Sequence, residues 1–201
     1  SIFWRIRHCC TYYLNPGSFI DNMKIFLADA SVGGPDLKGI KNNFIKKNIG
    51  IISNNNSITL DDWINSSRLE NNSDLLLQMD IEGGEYFSLI NVSNHLINRF
   101  RIIIVEFHNL HNMWLHDFHL LLSNTFKKLL QNHTIVHLHP NNCCGIENRM
   151  GVQIPRVMEF TFLRNDRITK KKKQLNFPHY LDKDCIEEKP HLSLPKNWHS
   201  A

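Results

Sequence analysis

The sequence predicts an α/β fold in which a parallel sheet is covered by helices on both faces. Two observations indicate this fold class. Short apolar runs of strand length alternate with amphipathic segments over most of the 201 residues. One of the runs, Arg101–Phe107, has β-branched residues on both faces, as expected for a strand in the middle of a covered sheet. Alternating strands and helices are typical of parallel sheets, and the chain length suits one domain.

The strands are predicted from these apolar runs. We expect them at Met23–Ala28, Asp74–Ile81, Arg101–Phe107, Thr134–His139 and Val157–Leu163, with a weaker extended stretch at Asn43–Ile52.

The helices are predicted from their caps and their periodicity. Thr59 opens a short helix with capping-box spacing, in which Asp62 takes the place of the usual Glu. Gly83 and Gly84 begin the next helix. Asp117 is expected to cap the longest helix, whose apolar residues recur every three or four positions.

The two ends of the chain differ from its middle. We expect residues 1–22 to be a divergent or truncated N-terminal segment, 23–164 the folded domain and 165–201 a polar C-terminal extension. The lysine run at 170–173 has no interleaved aromatic residues, which favours a solvated tail over a nucleic-acid surface.

Cysteine content and hydropathy bear on the compartment. The five cysteines include two adjacent pairs, which is not typical of a secreted disulfide framework. No C-x-x-C pair indicates a structural zinc site. No apolar run approaches the roughly 20 residues that span a bilayer, and the start does not resemble a signal peptide. We therefore expect a cytoplasmic protein with no membrane partner.

Polar residues stand where the predicted strands stop. They are Asp29, Asp80, Glu106 and His108. In an α/β sheet the ligand crevice lies outside the carboxyl ends of the strands. We therefore expect the chemistry of this protein at these four positions.

The segment from Asp80 to Glu85 is the most informative part of the sequence. The period of two along a strand places Asp80 and Glu82 on the same side, and Gly83 and Gly84 let the backbone turn sharply. Glu85 falls in the first turn of a helix, where it either caps the helix or belongs to the site. Asp80 follows an apolar run, where a carboxylate is costly unless it has a partner.

Three segments, in this order, resemble the FkbM family of methyltransferases. They are Leu60-Asp61-Asp62-Trp63, Asp80-Ile81-Glu82-Gly83-Gly84-Glu85 and Val105-Glu106-Phe107-His108, within a resemblance that covers about residues 24–164. The resemblance implies a Rossmann-like class I methyltransferase sheet and S-adenosylmethionine as the cofactor. It also implies methylation of a hydroxyl oxygen on a small molecule or sugar.

The resemblance also implies roles for particular residues. Asp29 would bind the ribose of the cofactor, because one carboxylate can accept hydrogen bonds from both ribose hydroxyls. Asp80 would lie beside both the cofactor and the acceptor, with Glu106 and His108 around the acceptor. A glycine-rich loop should precede Asp29, yet upstream the candidate glycine is Gly17. We therefore expect an incomplete first strand and loop: either the loop is shortened around Gly17, or the first unit is absent.

The histidines allow a further interpretation. His137 and His139 share a strand face, and His116 and His119 share the start of a helix. Together with the strand-end residues they could build a divalent-cation site. We favour the simpler interpretation, in which they are polar residues along the sheet edge and no metal is bound. His108 or His139 could act as a general base, because histidine titrates near neutral pH.

Three functions remain open at this point. Methyl transfer is the first hypothesis, and a non-catalytic or degenerate binding domain without the cofactor loop is the alternative. A metal-dependent hydrolase is the weakest, because the chain has no H-E-x-x-H or similar compact signature.

Overall fold

The computed structural model describes residues 2–6, 24–34, 42–70, 74–172 and 177–199. The strands are β1 (Ile2–Ile6), β2 (Lys24–Ala28), β3 (Asn42–Ile45), β4 (Asn48–Ile49), β5 (Ser57–Ile58), β6 (Leu75–Met79), β7 (Phe100–Phe107), β8 (His133–Pro140), β9 (Ile146–Arg149), β10 (Val152–Pro155) and β11 (Met158–Arg164). The helices are α1 (Leu60–Ser66), α2 (Glu85–Asn91), α3 (Asn94–Ile97) and α4 (His116–Leu130), with short 3-10 turns at Leu110–Trp114, Asn165–Arg167 and Lys196–Trp198.

Seven of these strands form one mixed sheet in the order β3-β2-β1-β6-β7-β11-β8. Strands β3, β2, β1, β6 and β7 are parallel to one another, and β11 runs antiparallel to both of its neighbours, β7 and β8. The α/β class is therefore as predicted, but the expectation of a wholly parallel sheet is wrong. A parallel connection needs a crossover of a dozen or more residues, usually a helix. The segment between β8 and β11 instead contains the antiparallel hairpin β9–β10.

Strand β1 lies in the middle of the sheet, between β2 and β6. Its Ile2 is in register with Lys24 on one side and with Leu75 on the other. A first strand is therefore present, which is evidence against the interpretation that the first unit is absent. In the sequence, Arg5 interrupts the apolar run by which the other strands are recognised. Gly17, the predicted loop glycine, lies outside the described residues.

The caps of two helices test the predictions from sequence. At α1, Thr59 Oγ1 accepts a hydrogen bond from the Asp62 amide at 3.1 Å, which confirms the predicted cap. At α4, the cap residue is Leu115 and Asp117 lies within the first turn, so that predicted cap is wrong. The helix dipole favours a carboxylate in the first turn, so Asp117 still marks the start of α4 although it is not the cap residue.

An aromatic cluster fixes α2 and α4 against the sheet. Phe107 of β7 packs on Tyr86 of α2 and Phe126 of α4, with ring centroids 5.1 and 5.0 Å away, and Phe160 of β11 lies 5.4 Å from Phe107. Each such pair contributes about 0.5–1.5 kcal/mol beyond its buried area. Because Tyr86 is the second residue of α2, the cluster also sets where α2 begins relative to the strand ends.

Residues 177–199 of the C-terminal extension pack on the rest of the fold. Asn142 donates from Nδ2 to the Ile186 carbonyl at 2.8 Å and accepts from the Ile186 amide at 3.0 Å. Trp198 Nε1 donates to the Gln153 carbonyl at 3.0 Å. The extension is therefore attached near the end of β8 and at β10.

Two further findings concern membrane-spanning helices and cysteine pairing. Among the described residues, no helix is both long enough and apolar enough to cross a lipid bilayer. A disulfide joins the adjacent residues Cys143 and Cys144. A bond between neighbours in the chain closes almost no loop, so it does not tie separate elements of the fold together.

Candidate functional site

The site lies at the carboxyl ends of the neighbouring parallel strands β6 and β7. Their register pairs Met79 with Val105, so Asp80 and Glu106 follow these residues on adjacent strands. His108 comes directly after β7. The structure therefore brings three residues predicted from sequence to one edge of the sheet.

The backbone turns sharply between Asp80 and helix α2. Glu82 and Gly83 both have positive φ, 56° and 103°, and the Gly84 amide donates to the Ile81 carbonyl at 3.2 Å. A Cβ at Gly83 would lie 3.2 Å from Asn109 Nδ2. Glycine is therefore favoured at position 83 both by the backbone conformation and by the approach of the segment that follows β7.

Glu85 is completely buried and holds this turn together. Its Oε1 accepts the backbone amides of Ile81 at 3.0 Å and Gly83 at 3.1 Å. The same oxygen lies 3.0 Å from Nδ1 of His108. Tyr86, the next residue, donates its hydroxyl to the His108 carbonyl at 2.6 Å. The start of α2 thus positions His108 through both its ring and its backbone, and Glu85 belongs to the site as well as to the helix terminus.

The second ring nitrogen of His108 faces two more carboxylates. Nε2 lies 3.4 Å from Glu82 Oε2 and 3.8 Å from Asp80 Oδ1. Burial by itself would lower the pKa of His108. The hydrogen bond to Glu85 and the charges of Glu85, Glu106 and Asp80 outweigh it and raise that pKa to about 9.

Asp80 is the buried centre of the site. Its side chain is almost wholly removed from solvent, and its Oδ1 has no hydrogen-bond partner. Burial and the neighbouring Glu106 raise the pKa of Asp80 to about 8, against the opposing charge of His108. An acidic residue that keeps its proton near neutral pH is common at functional sites.

A row of polar groups continues from Glu106 across the sheet. Glu159 of β11 is paired in register with Glu106 on β7 and with His139 on β8. Burial, followed by the charges of Glu106 and Asp182, raises the pKa of Glu159 to about 7. Asn141 donates its side-chain amide to Glu106 Oε1.

Sequence reasoning missed Glu159 and Asn141 as members of the site. The signal for Glu159 was present: a carboxyl group stands inside the apolar run Val157–Leu163, where burial is costly. The strand pairing that places Glu159 opposite Glu106 could not be predicted from the sequence of β11 alone.

Asp29 lies elsewhere, at the carboxyl end of β2. Its Oδ1 accepts from the Ser31 amide at 2.7 Å and from the Ser31 hydroxyl at 2.6 Å, and its own amide donates to the Ile45 carbonyl. Strand β1 separates β2 from β6, which places the two strands about 9.6 Å apart. Asp29 and Asp80 therefore lie at the same edge of the sheet, at the carboxyl ends of parallel strands. The two strands are too far apart for these side chains to touch each other.

The histidine cluster that was considered as a possible cation site does not assemble around the strand ends. His137 Nε2 lies 2.8 Å from Asp182 Oδ1, and His139 Nδ1 lies 3.5 Å from Asp182 Oδ2, so both are held by the C-terminal extension. His116 pairs with the adjacent Asp117 in solvent, and His119 lies 3.3 Å from Ser123 one turn along α4. His139 also faces the Lys183 carbonyl, which does not fit the hypothesis that it is a general base open to the crevice.

Comparison with known proteins gives one family. The family model described as the methyltransferase FkbM domain matches residues 24–132, more than half of the chain. No curated protein and no solved structure matches the chain. The matched range contains α1, β6, the turn to α2 and β7, and therefore every residue of the Asp80, Glu85, Glu106 and His108 cluster.

Proposed function

The chain belongs to the FkbM family of methyltransferases, and we propose that it transfers a methyl group from S-adenosylmethionine to a hydroxyl oxygen of a small molecule or sugar. The observation that supports this most directly is the position of Asp80. A buried carboxyl group with an unpartnered oxygen stands where the family match and the ligand crevice of an α/β sheet coincide.

The strand order supports a Rossmann-like classification. Counted in chain order within the main sheet alone, the strands run 3-2-1-4-5-7-6. The first five of these positions match the order of doubly wound nucleotide-binding sheets, in which the ligand lies where the order reverses. Here the reversal falls between β1 and β6, and Asp80 ends β6.

The described residues fit a nucleoside-bearing cofactor at this edge. Asp29 ends the strand next to β1, the position from which an acidic residue reaches ribose hydroxyls in related sheets. We propose that Asp29 binds the ribose and that Asp80 lies at the methyl end of the cofactor; Gly17, which the resemblance also assigns to cofactor binding, lies outside the described residues. The unpartnered Asp80 oxygen is a buried acceptor available to a bound molecule.

S-adenosylmethionine, when bound, would supply the methyl group on a sulfonium sulfur, and transfer to the hydroxyl oxygen would leave S-adenosylhomocysteine. The residues around Asp80 have two tasks. They hold the hydroxyl in line with the methyl group, which is the larger contribution in such displacements. They also take up the proton that the hydroxyl loses, and the carboxyl group of Glu106, next to Asp80 and His108, provides the acceptor.

The acceptor class follows from the polar groups available. The carboxyl groups of Glu106 and Glu159 can form hydrogen bonds with hydroxyl groups, so they match a molecule that has several of them. A sugar or a small polyhydroxylated compound has that pattern.

The alternative is a non-catalytic binding domain that has lost the cofactor loop. Residues 7–23, where that loop is expected, lie outside the described residues, but β1 before them is paired on both sides, which argues against loss of the whole first unit. The retained cluster of buried carboxyl groups has a structural cost, which a domain without chemistry would have little reason to keep.

Calorimetric titration with S-adenosylhomocysteine tests the proposal. We expect micromolar binding to the full chain and a loss of at least roughly ten-fold in affinity for Asp29→Ala, because the ribose would lose its acceptor. Asp117→Ala, which removes an exposed carboxylate of α4, is the matched control and should bind as the unchanged chain does. Absence of binding by a chain shown to be folded by circular dichroism would refute the cofactor assignment.

A further inference from the structure

Three side chains of the site converge as metal ligands do. Asp80, Glu85 and His108 each offer a ligand atom, and these atoms all lie within 4.8 Å of one another. Atoms that share one ion at about 2.0–2.4 Å can be no more than about 4.8 Å apart. The three groups are thus close enough to bind one cation with small side-chain adjustments.

Two buried oxygens at this point have no partner in the protein. They are Oδ1 of Asp80 and Oε2 of Glu85, whose residues are 7% and 0% exposed. A buried acceptor without a partner costs about 1–3 kcal/mol or more for a charged group. A hard cation would satisfy both oxygens, since carboxylates are the ligands that Mg²⁺ and Mn²⁺ prefer.

Glu85 and His108 lie next to each other in a fixed arrangement. Oε1 of Glu85 is 3.0 Å from Nδ1 of His108, a separation that two ligand atoms of one ion can have. Glu85 is itself held by two backbone amides, so the position of its carboxylate is fixed.

The charges around His108 are unbalanced. Four carboxyl groups lie around this one imidazole: Asp80, Glu82, Glu85 and Glu106. In a site largely removed from water, such an excess of acidic groups favours a bound cation.

We propose that Asp80, Glu85 and His108 bind a divalent cation of the Mg²⁺ or Mn²⁺ class, with Glu82 at the solvent rim of the site. This site replaces the larger histidine cluster considered from sequence. Its catalytic role rests on the proposed function: the cation would bind acceptor oxygens and favour loss of the hydroxyl proton, which Glu106 then receives. Cation binding itself does not depend on methyl transfer.

Mn²⁺ titration of the full chain, followed by electron paramagnetic resonance of the free ion, tests the site. We expect one bound ion, and an affinity lower by roughly ten-fold or more in Asp80→Asn, which keeps the side-chain size but removes the ligand charge. Asp117→Asn, on exposed α4, is the matched control and should bind as the unchanged chain does. Mn²⁺ is preferable to Zn²⁺ as a probe because the twelve histidines would bind Zn²⁺ elsewhere.

A second variant keeps the test decisive if Asp80→Asn does not fold. Glu82→Gln changes a carboxylate that is 46% exposed, and it should weaken Mn²⁺ binding by a smaller factor. Equal Mn²⁺ affinity in the unchanged chain and the folded variants, or no Mn²⁺ binding at all, would overturn the proposal. S-adenosylhomocysteine binding measured in EDTA separates the two proposals, because it should persist when the cation site is empty.

Discussion

Glu159 is a partly buried carboxyl group whose protonation makes the stability of the sheet depend on pH. It lies on β11 between Glu106 of β7 and His139 of β8, and Asp182 of the C-terminal extension approaches from outside the sheet. Like charges directly opposite on neighbouring strands are destabilising. The protonated form of Glu159 is therefore the one that the folded protein favours.

We predict that Glu159 makes the protein less stable as pH rises from about 4.5 to about 7. The pKa of this group is 4.5 in the unfolded chain and about 7 in the folded one, so the folded state binds more protons in that window. Glu159→Gln should remove this part of the slope and leave the variant more stable at pH 8, by at most about 3 kcal/mol. Urea unfolding at several pH values measures the effect.

The control for this measurement is Glu187→Gln, a change of the same chemistry on the exposed part of the extension. It should leave the pH dependence unchanged. If Glu159→Gln follows the same pH profile as the unchanged chain, Glu159 does not titrate differently in the folded state.

The cluster residues differ in how far sequence could identify them. Asp80, Glu106 and His108 were expected at the sheet edge because each follows an apolar run, and the structure places them there. Glu85 was ambiguous because a carboxylate in the first helical turn has a structural role of its own. Only the contact with His108, 23 residues later, assigns it to the site.

The C-terminal extension is the element whose position least follows from its own sequence. It is polar and has no clear period, yet Asp182 contacts both His137 and His139 and also accepts the His179 amide at 2.8 Å. These contacts join the extension to β8 over more than forty residues of chain. Asp182 is thus the central attachment of the extension.

We predict that Asp182→Asn loosens the extension. The variant keeps the shape of the side chain but loses its charge toward two histidines, at a cost of about 1–2 kcal/mol. Amide hydrogen exchange of residues 177–199 should become roughly ten-fold faster, while exchange in β6 and β7 stays unchanged. Glu188→Gln, in an exposed part of the same segment, is the control. Unchanged exchange in the Asp182 variant would show that other contacts hold the extension.

At the scale of the whole molecule, the family match and the sheet do not end together. The match stops at residue 132, whereas β8 and β11 follow it and complete the sheet beyond β7. Phe160 and Phe162 of β11 are almost completely buried, and Phe160 packs against Phe107 and Phe126. The matched region alone therefore lacks one side of its core.

We predict that a fragment of residues 1–132 does not fold cooperatively. Removal of β11 and β8 leaves the edge of β7 unpaired and exposes the aromatic cluster to water. Thermal denaturation followed by circular dichroism should show no sharp transition. A chain of residues 1–172, which keeps every strand of the main sheet, is the control and should unfold cooperatively at a lower temperature than the full chain. A sharp transition in the shorter fragment would contradict this account.

The sequence by itself determined five strands of the main sheet and the turn that contains the site. Apolar runs, the Thr59 cap and the Gly83–Gly84 turn are local patterns, and local patterns follow from backbone geometry over a few residues. Tertiary structure alone decided three other features: the central place of β1, the antiparallel direction of β11 and the pairing of Glu159 with Glu106. These depend on which strands meet and in what register, and that choice is made by contacts between segments far apart in the chain.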